Sequence, residues 1–252
     1  MADGVAGETE AETPARERPR DHVTGTLARR ILSGEIPPGA RLPTEAELCD
    51  DLAVSRTALR EAMRTLAGKG LIESRRRTGT IVQPRTNWND LDPEILAWRE
   101  TLPPDLDFIH SLIEARAVIE PAAAALAAER ASAREVAALE AAFEVLERRA
   151  AAGVEAMTEA DEGFHVTLLR ASHNHVFANF AAVIGTAVRH SSRLTNAAAG
   201  DIAAAIASHG EVVEAIRLRR PDEARSLMER LIAIARDDLA RAIASSEVAG
   251  PH

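Results

Sequence analysis

Residues 55–82 read SRTALREAMRTLAGKGLIESRRRTGTIV and gather six arginines in a chain whose formal net charge is −9. Ser55 is suited to cap a helix at its start, and Gly70 is suited to end it. The apolar positions between them recur on one helical face, at Leu59, Met63 and Leu66. Two β-prone segments follow, LIES and GTIV, joined by RRRT. The stretch therefore predicts a helix that is followed by a β-hairpin.

Two further helices are predicted upstream of Ser55. The segment HVTGTLARRILSGEI brings its aliphatic residues to one helical face, and Gly34 ends this helix. After the turn PPGARLP, Thr44 and Glu47 have the spacing of a capping box that opens a short helix. Because only AVS separates this helix from Ser55, the two form a helix-turn-helix. Together with the hairpin, these helices form a winged helix. In a winged helix, the second helix of the helix-turn-helix enters the major groove of DNA.

Net positive charge in this chain is confined to the winged helix. Residues 21–85 hold 11 Lys and Arg against 8 Asp and Glu, whereas residues 86–252 hold 16 against 26. A chain that is acidic overall can still bind nucleic acid where its positive charge is concentrated. The sequence therefore predicts that residues 21–85 form a DNA-binding domain, called the head below, which is attached to an acidic remainder.

In such a domain the arginines can contact DNA. Arg56 and Arg60 lie one turn apart at the start of the second helix, and a guanidinium there can bond guanine O6 and N7. Ser55 and Thr57 can add phosphate contacts at the helix N-terminus. Residues of the wing can reach phosphates or the minor groove; they are Arg75, Arg76, Arg77, Thr78 and Gly79. The alternative interpretation is a solvated face on which the arginines pair with Glu61 and Glu73.

The second half of the chain is predicted to be helical. Apolar residues make up 46% and aromatic residues 3% of the 252 residues, and alanine and leucine dominate this half. About six helices follow one another with short connections, which predicts a mainly α protein with an antiparallel bundle. Alanine-rich helix faces suit a dimer interface. The predicted organisation is a disordered tail at 1–20, the winged helix at 21–85, a linker at 86–104, the helical domain at 105–245 and a tail at 246–252.

The cellular compartment is predicted from sequence features that are rare or absent. A single cysteine, Cys49, fits a reducing environment. The acidic start does not resemble a signal peptide, and no apolar run is long enough to span a membrane. These features predict a soluble, cytoplasmic protein without a membrane partner.

One motif in the helical domain has metal-ligand spacing. Asp161 and His165 lie four residues apart on a predicted helix, so both project from one face. His209, on a later helix, could supply a third ligand. From spacing alone, a surface pair remains the competing interpretation.

The head closely resembles the winged-helix domain of GntR-type regulators. The motifs that carry the resemblance occur in order: "I..GEIPPG..LPTE..L", "VSRT.LREA...L...GLI" and a Gly-Thr wing. In that family, Arg56 and Arg60 match the positions that read operator bases. A third family arginine is replaced by Ala46, and Arg76 and Arg77 replace the usual Pro-Gly at the wing tip. The resemblance implies a transcription factor rather than an enzyme, with double-stranded operator DNA as its partner.

The helical domain resembles the FadR-type ligand-binding domain of the same regulators. The matching pieces are "R..IEPAAA.LAAERA", "D..FH..L..ASHN" and "H.EVVEAI...RPDEAR..M". The resemblance implies a divalent metal such as zinc on Asp161, His165 and His209, while the fourth ligand position is occupied by Leu231, which cannot ligate. A three-ligand site completed by water or effector is compatible with this set. A metal-free pocket whose residues bond the effector directly is compatible as well.

The linker and the first helix of this domain further resemble the subgroup of galactonate-operon repressors. That resemblance implies a sugar-acid effector. A metal or His165 can meet its carboxylate, Arg116 can pair with it bidentately, and Arg193 and Asn174 could add polar contacts. For Arg116 the alternative is a structural ion pair with Glu120, one turn away.

The resulting expectation is a homodimeric repressor that binds a palindromic operator and senses a small carboxylate. The rival expectations are the same regulator with an acyl-CoA, hydroxy acid or amino acid as effector, and a metal-dependent hydrolase attached to a DNA-binding head.

Overall fold

The computed structural model of the protein describes residues 19–76, 79–195 and 202–249. Within these ranges it contains eleven α-helices and one two-stranded sheet, so the predicted mainly α fold is confirmed. The chain divides into two compact units, Met1–Trp98 and Arg99–His252. The division falls inside the stretch that the sequence assigns to a linker, residues 86–104.

The first unit has the predicted winged-helix architecture. Its elements are α1 (Pro19–Leu32), α2 (Glu45–Asp51), α3 (Arg56–Gly68), β1 (Ile72–Arg75), β2 (Gly79–Val82) and a short 3-10 helix (Arg85–Asn87). The two strands pair antiparallel, with Ile72 opposite Val82. Helix α4 (Pro93–Glu100) begins in this unit and ends in the second one.

Local signals form the helix-turn-helix. Thr44 caps α2, because its hydroxyl accepts from the Glu47 N–H while the Glu47 carboxylate accepts from the Thr44 N–H. Ser55 caps α3 by accepting a hydrogen bond from the Ala58 N–H at 3.2 Å. Between the two helices Ala53 adopts a positive φ of 52°, a left-handed conformation that turns the chain within very few residues. Both predicted caps are therefore confirmed.

The stretch after the wing packs on the first unit. Trp88 is buried, and its indole N–H donates to the Gln83 carbonyl at 2.9 Å. Lys69, at the end of α3, forms ion pairs with Asp92 and Glu94 at 2.7 and 2.6 Å, and its ammonium lies 5.7 Å from the centre of the Trp98 ring. Residues 88–98 are therefore held to the winged helix by burial and by charge.

The second unit is an all-α bundle. Its helices are α5 (Leu106–Arg130), α6 (Ala133–Ala150), α7 (Val154–Ala171), α8 (His175–Asn179), α9 (Ala181–Thr195), α10 (Ile202–Arg217) and α11 (Pro221–Ala249). Buried alanines of α5, including Ala124 and Ala128, pack in one core with Phe164 of α7, Val212 of α10 and Met228 of α11. This core surrounds the polar residues described below.

Two helix ends lie outside the predicted boundaries. Helix α1 begins at Pro19, inside the predicted tail, and α11 continues to Ala249, beyond position 245. After Asn174 the chain forms α8 and α9 in succession, because the Phe180 N–H bonds to the Phe177 carbonyl in a tighter turn. No helix in the described ranges combines the length and the apolar character that a membrane span requires.

Candidate nucleic-acid interface and candidate metal centre

Helix α3 separates an apolar face from a polar one. Leu59, Ala62 and Leu66 are buried against the rest of the winged helix. The predicted DNA-binding residues of this helix are all exposed at its N-terminal end; they are Ser55, Arg56, Thr57 and Arg60. The Ser55 hydroxyl is engaged as the cap of the helix. The recognition helix therefore presents two arginines and a threonine to solvent.

Arg60 has a partner that the sequence does not reveal. Its Nε lies 3.1 Å from Oε2 of Glu45, in the first turn of α2, and the two side chains are 62% and 49% exposed. An ion pair so exposed contributes little to stability. Since the contact uses Nε, the two terminal amino groups of the guanidinium remain available to a base edge. Glu45 thus positions Arg60 at the surface of α3.

The wing is partly neutralised at its root. Arg75 lies 2.9 Å from the Glu73 carboxylate, which also accepts from the Gln83 amide at 3.0 Å. Arg76 is exposed, and Gly79 has a φ of +85° at the start of β2. The other two wing residues of the prediction, Arg77 and Thr78, lie outside the described residues. Arg75 therefore pairs with Glu73, whereas Arg60 pairs with Glu45 and not with Glu61 or Glu73.

A buried polar cluster lies in the second unit where α5, α7 and α10 meet. Asp161 and His165 come from α7, and His209 comes from α10. Nε2 of His209 lies 3.0 Å from Oδ1 of Asp161, and Nε2 of His165 lies 3.5 Å from the same oxygen. One ligand atom of each residue lies within 4.8 Å of the others. The structure therefore brings together the three residues that the sequence singles out as metal ligands.

Both histidine rings are oriented by a second partner. Nδ1 of His209 lies 2.8 Å from the carbonyl of Ala205, one turn earlier in α10. Nδ1 of His165 lies 2.6 Å from Oε2 of Glu120, on α5. Because Nδ1 of His209 is used in this way, its Nε2 is left for a metal or a ligand. Nε2 of His165 lies 3.2 Å from Nη2 of Arg116. Glu120 is therefore a member of the site that sequence reasoning named only as a partner of Arg116.

The three predicted ligands fit a divalent cation. Asp161 Oδ1 and His209 Nε2 are buried, yet within the described residues neither atom makes a hydrogen bond of ordinary geometry, although they lie 3.0 Å apart. Buried polar atoms of this kind need a partner. One carboxylate and two imidazoles form a donor set that zinc accepts, with a position left open. Leu231, at the fourth family position, is 5% exposed in the apolar core and supplies no ligand.

The cluster is strongly charged. Burial raises the pKa of Glu120, but Arg116 and His165 outweigh it and lower this pKa to about 2. Burial lowers the pKa of His165, whereas Glu120 and Asp161 raise it, to about 9. For Asp161, burial is likewise outweighed by His165 and His209, so its pKa lies well below the ordinary range. Without a metal, Glu120 and Asp161 are ionised and His165 is protonated at neutral pH.

Arg116 belongs to this cluster. It is 3% exposed, its Nε donates to Oε1 of Glu120 at 2.6 Å, and its Nη2 lies 3.2 Å from Nε2 of His165. The ion pair with Glu120 is thus present, and the guanidinium also lies beside the candidate ligands. Arg116 is therefore a buried cation of the cluster.

The other two predicted effector contacts are placed differently. The side-chain oxygen of Asn174 accepts from the N–H groups of Val176 and Phe177 and so caps α8. Its described contacts include no residue of the buried cluster. Arg193 lies in α9, but its side chain falls outside what the structure describes. An asparagine before a short helix is a cap signal that the sequence already contained.

A second polar cluster adjoins the first. Arg189 of α9 forms ion pairs with Glu162 of α7 and with Glu100 at the end of α4. Gly185 leaves the space for this arrangement, since a side chain there would collide with the Glu162 carboxylate. Glu162 directly follows Asp161, so these ion pairs connect the helix of the candidate metal ligands to the end of α4.

Comparison with known proteins matches both units. The profile described as bacterial regulatory proteins, gntR family, matches residues 19–82, and the FCD domain profile matches residues 111–234. The galactonate operon transcriptional repressor of Escherichia coli is 38% identical over 170 residues, which cover 67% of this chain and 73% of that protein. The putative L-lactate dehydrogenase operon regulatory protein of the same organism is 29% identical, with 82% and 81% covered. A solved Streptococcus agalactiae GntR structure is 29% identical, with a TM-score of 0.50, and covers 86% of this chain and 99% of its own.

Proposed function

The chain belongs to the GntR family of bacterial transcriptional regulators and carries an FCD domain, and on this premise we propose a repressor that a sugar acid releases from a palindromic operator. It is a regulator and not an enzyme. In this proposal residues 21–85 bind DNA, residues 86–104 connect the units, and residues 105–245 form the sensing and dimerising domain. The metal-dependent hydrolase that the sequence left open is thereby set aside.

The proposed DNA contacts follow from exposure and charge. In a helix-turn-helix dimer the two recognition helices lie about 34–36 Å apart, which matches an operator with two-fold symmetry. Arg56 and Arg60 face the base edges, and Ser55 and Thr57 lie at the helix start, where phosphate binds. The wing meets the backbone or the minor groove through Arg75, Arg76, Arg77, Thr78 and Gly79.

The buried cluster carries the proposal for the effector. It offers an arginine, two histidines and two carboxylates in an otherwise apolar core, so the matching ligand bears a carboxylate and hydroxyl groups. An acyl chain would instead require an apolar tunnel. A relative named for the galactonate operon supports a sugar acid, and one named for the lactate dehydrogenase operon makes a hydroxy acid the competing effector. An amino acid is a further outcome of the same test.

Asp161, His165 and His209 would hold the metal in this proposal. A divalent ion such as zinc supplies, when bound, a positive charge and open positions for carboxylate and hydroxyl oxygens. Glu120 and the Ala205 carbonyl keep the two imidazoles turned toward that position. The effector then releases DNA only if it binds more tightly to the dimer in which the two winged helices cannot both contact the operator.

Thermal unfolding of the metal-stripped and metal-reloaded protein tests the site. The panel contains sugar acids, hydroxy acids, amino acids and acyl-CoAs, and a ligand at 100 times its Kd stabilises the folded state by about 2.7 kcal/mol. We expect the shift with a sugar acid, and its loss in His165→Ala and Arg116→Ala. His173→Ala is the control, since His173 pairs with Glu135 at the surface. A shift with acyl-CoA alone, unchanged in His165→Ala, would contradict the proposal.

A further inference from the structure

A charged groove lies on the first unit between α2, α3 and the root of the wing. Its volume is about 470 Å³, and its lining includes Arg41, Glu45, Arg60 and Arg64 together with Gly79. Arg41 precedes α2 and was not among the residues singled out by the sequence. The groove therefore contains two arginines, Arg41 and Arg64, that are not in the predicted DNA-binding set.

The backbone holds Arg41 firmly at this place. The Leu42 N–H donates to the Thr80 carbonyl and the Val82 N–H donates to the Ala40 carbonyl, both at 2.9 Å. Arg41 itself forms a bridge with Ile81, so this short segment pairs with β2 as a third extended piece. The stem of the Arg41 side chain lies against Gly79, where the wing begins to return. Arg41 thus stands between the recognition helix and the wing.

The charges of the groove single out Arg41. Arg60 is paired with Glu45, and Arg64 is paired with Glu61 at 2.5 Å. Arg41 is exposed, and in the part of the chain that the structure describes its guanidinium has no ion pair or hydrogen bond. Its positive charge is therefore available to an anionic partner.

We propose that Arg41 binds a phosphate of the operator backbone, between the bases read by α3 and the groove met by the wing. The inference rests on the proposed function, in which α3 occupies the major groove and the wing lies over the adjoining minor groove. The ridge between two adjoining grooves is the sugar-phosphate backbone. A planar guanidinium matches a phosphate with two parallel hydrogen bonds. Arg41 therefore adds affinity for DNA of any sequence and does not read bases.

The test compares Arg41→Ala, Arg41→Lys and the unaltered full chain. The probes are a duplex selected by the full chain from a random library and a scrambled duplex of the same composition, at several salt concentrations. We expect Arg41→Ala to weaken binding to both duplexes about tenfold at low salt. The plot of log affinity against log salt becomes less steep by about 0.9 for each phosphate that the protein no longer neutralises. Arg41→Lys retains most of this slope because it keeps the charge.

Arg148→Ala is the matched control, since Arg148 is an exposed arginine of α6 in the second unit. Unfolding curves that coincide for all variants establish that the fold is retained. Unchanged affinity and slope in Arg41→Ala, together with reduced discrimination in Arg60→Ala, would overturn the inference and leave the proposed function intact. If Arg60→Ala also changes nothing, the proposed function fails. A weakening in Arg41→Ala that is confined to the selected duplex would overturn the phosphate assignment in favour of a base contact.

Discussion

At Arg60 and Arg76 two arginines of one domain are expected to contribute to binding in different ways. Arg60 is held by Glu45 at the exposed N-terminal half of α3, whereas Arg76 lies on the wing. A base-reading arginine discriminates by about 1–3 kcal/mol, and a phosphate-binding arginine acts on every sequence.

We therefore expect Arg60→Ala to reduce the preference for the selected duplex over variants with a changed guanine. Arg76→Ala should weaken all duplexes alike and flatten the salt dependence. Competition binding with single-position variants of the duplex measures both effects. An equal loss of specificity in the two variants would contradict this division.

Two buried groups make the stability of the metal-free protein depend on pH. The pKa of His165 is raised from 6.5 to about 9, so its contribution is complete below pH 6.5 and is lost as the pH rises through 9. The pKa of Glu120 is lowered from 4.5 to about 2, so its contribution is complete above pH 4.5 and is lost as the pH falls through 2. Both contributions are therefore complete between pH 4.5 and 6.5.

The expected result is an alkaline loss of stability between pH 6.5 and 9 that is absent in His165→Gln. Denaturant unfolding of the metal-stripped protein at a series of pH values measures it. Because a metal binds neutral imidazole, added zinc should stabilise the protein increasingly over the same interval. The same alkaline slope in His165→Gln would show that another group titrates.

At the scale of elements, the sequence predicts what depends on near neighbours. The capping box of Thr44 and Glu47, the Ser55 cap and the hairpin all rest on residues at most a few positions apart. Their hydrogen bonds form within one turn or one strand pair, so residue type and spacing suffice. The i,i+4 pair of Asp161 and His165 belongs to the same class.

Contacts between distant elements were not predictable from one sequence. Glu45 reaches Arg60 from another helix, and Glu120 reaches His165 from α5 to α7. Such pairs depend on how the helices pack, which no local spacing records. Arg41 was missed for the same reason, since it is the pairing of residues 40–42 with β2 that places it beside Gly79. The resemblance supplied His209 as a ligand, but the orientation of its ring required the structure.

The junction of α3 with the stretch after the wing depends on one glycine. Gly70 has a φ of +77°, and a side chain there would collide with the Asn87 carbonyl. We expect Gly70→Ala to destabilise the protein by about 2 kcal/mol or more, because it adds a left-handed penalty to a backbone clash.

Gly68→Ala is the matched control, since Gly68 is helical and has open space around its Cβ position. It should be neutral or stabilise the protein by up to about 1 kcal/mol. Denaturant unfolding measures both variants. Equal stability of the two variants would contradict this, because it would mean that the backbone at Asn87 shifts at little cost to accommodate the new side chain.

At the scale of the whole molecule, the two units differ in net charge, and we propose that the first binds DNA while the second senses the effector. Residues 21–85 carry an excess of Lys and Arg, and the remainder of the chain carries an excess of Asp and Glu. The continuous helix α4 runs from the first unit into the second and ends at Glu100. Arg189 joins Glu100 to Glu162, next to Asp161. We therefore expect ligand binding at the cluster to act on the end of α4 through Arg189.

Arg189→Met is expected to leave effector binding intact and to reduce the effect of the effector on DNA affinity. Methionine keeps an unbranched apolar stem but cannot bond either carboxylate. The measurement is the ratio of the DNA dissociation constants with and without effector, with thermal shifts as the check on effector binding. Arg148→Met is the control, since Arg148 pairs with Glu144 within its own helix. A ratio that equals that of the unaltered protein would show that coupling takes another route.

The most direct test of the central claim is a titration of the full chain onto the selected duplex with and without galactonate, followed by fluorescence anisotropy. If the buried cluster senses the sugar acid and the winged helix holds DNA, galactonate should raise the dissociation constant about 5- to 150-fold, the range of ordinary coupling energies. The rise should disappear in Asp161→Ala, which should still bind the duplex in the absence of effector. A dissociation constant that galactonate leaves unchanged while thermal shifts show it bound would contradict the account, as would an equal rise in Asp161→Ala.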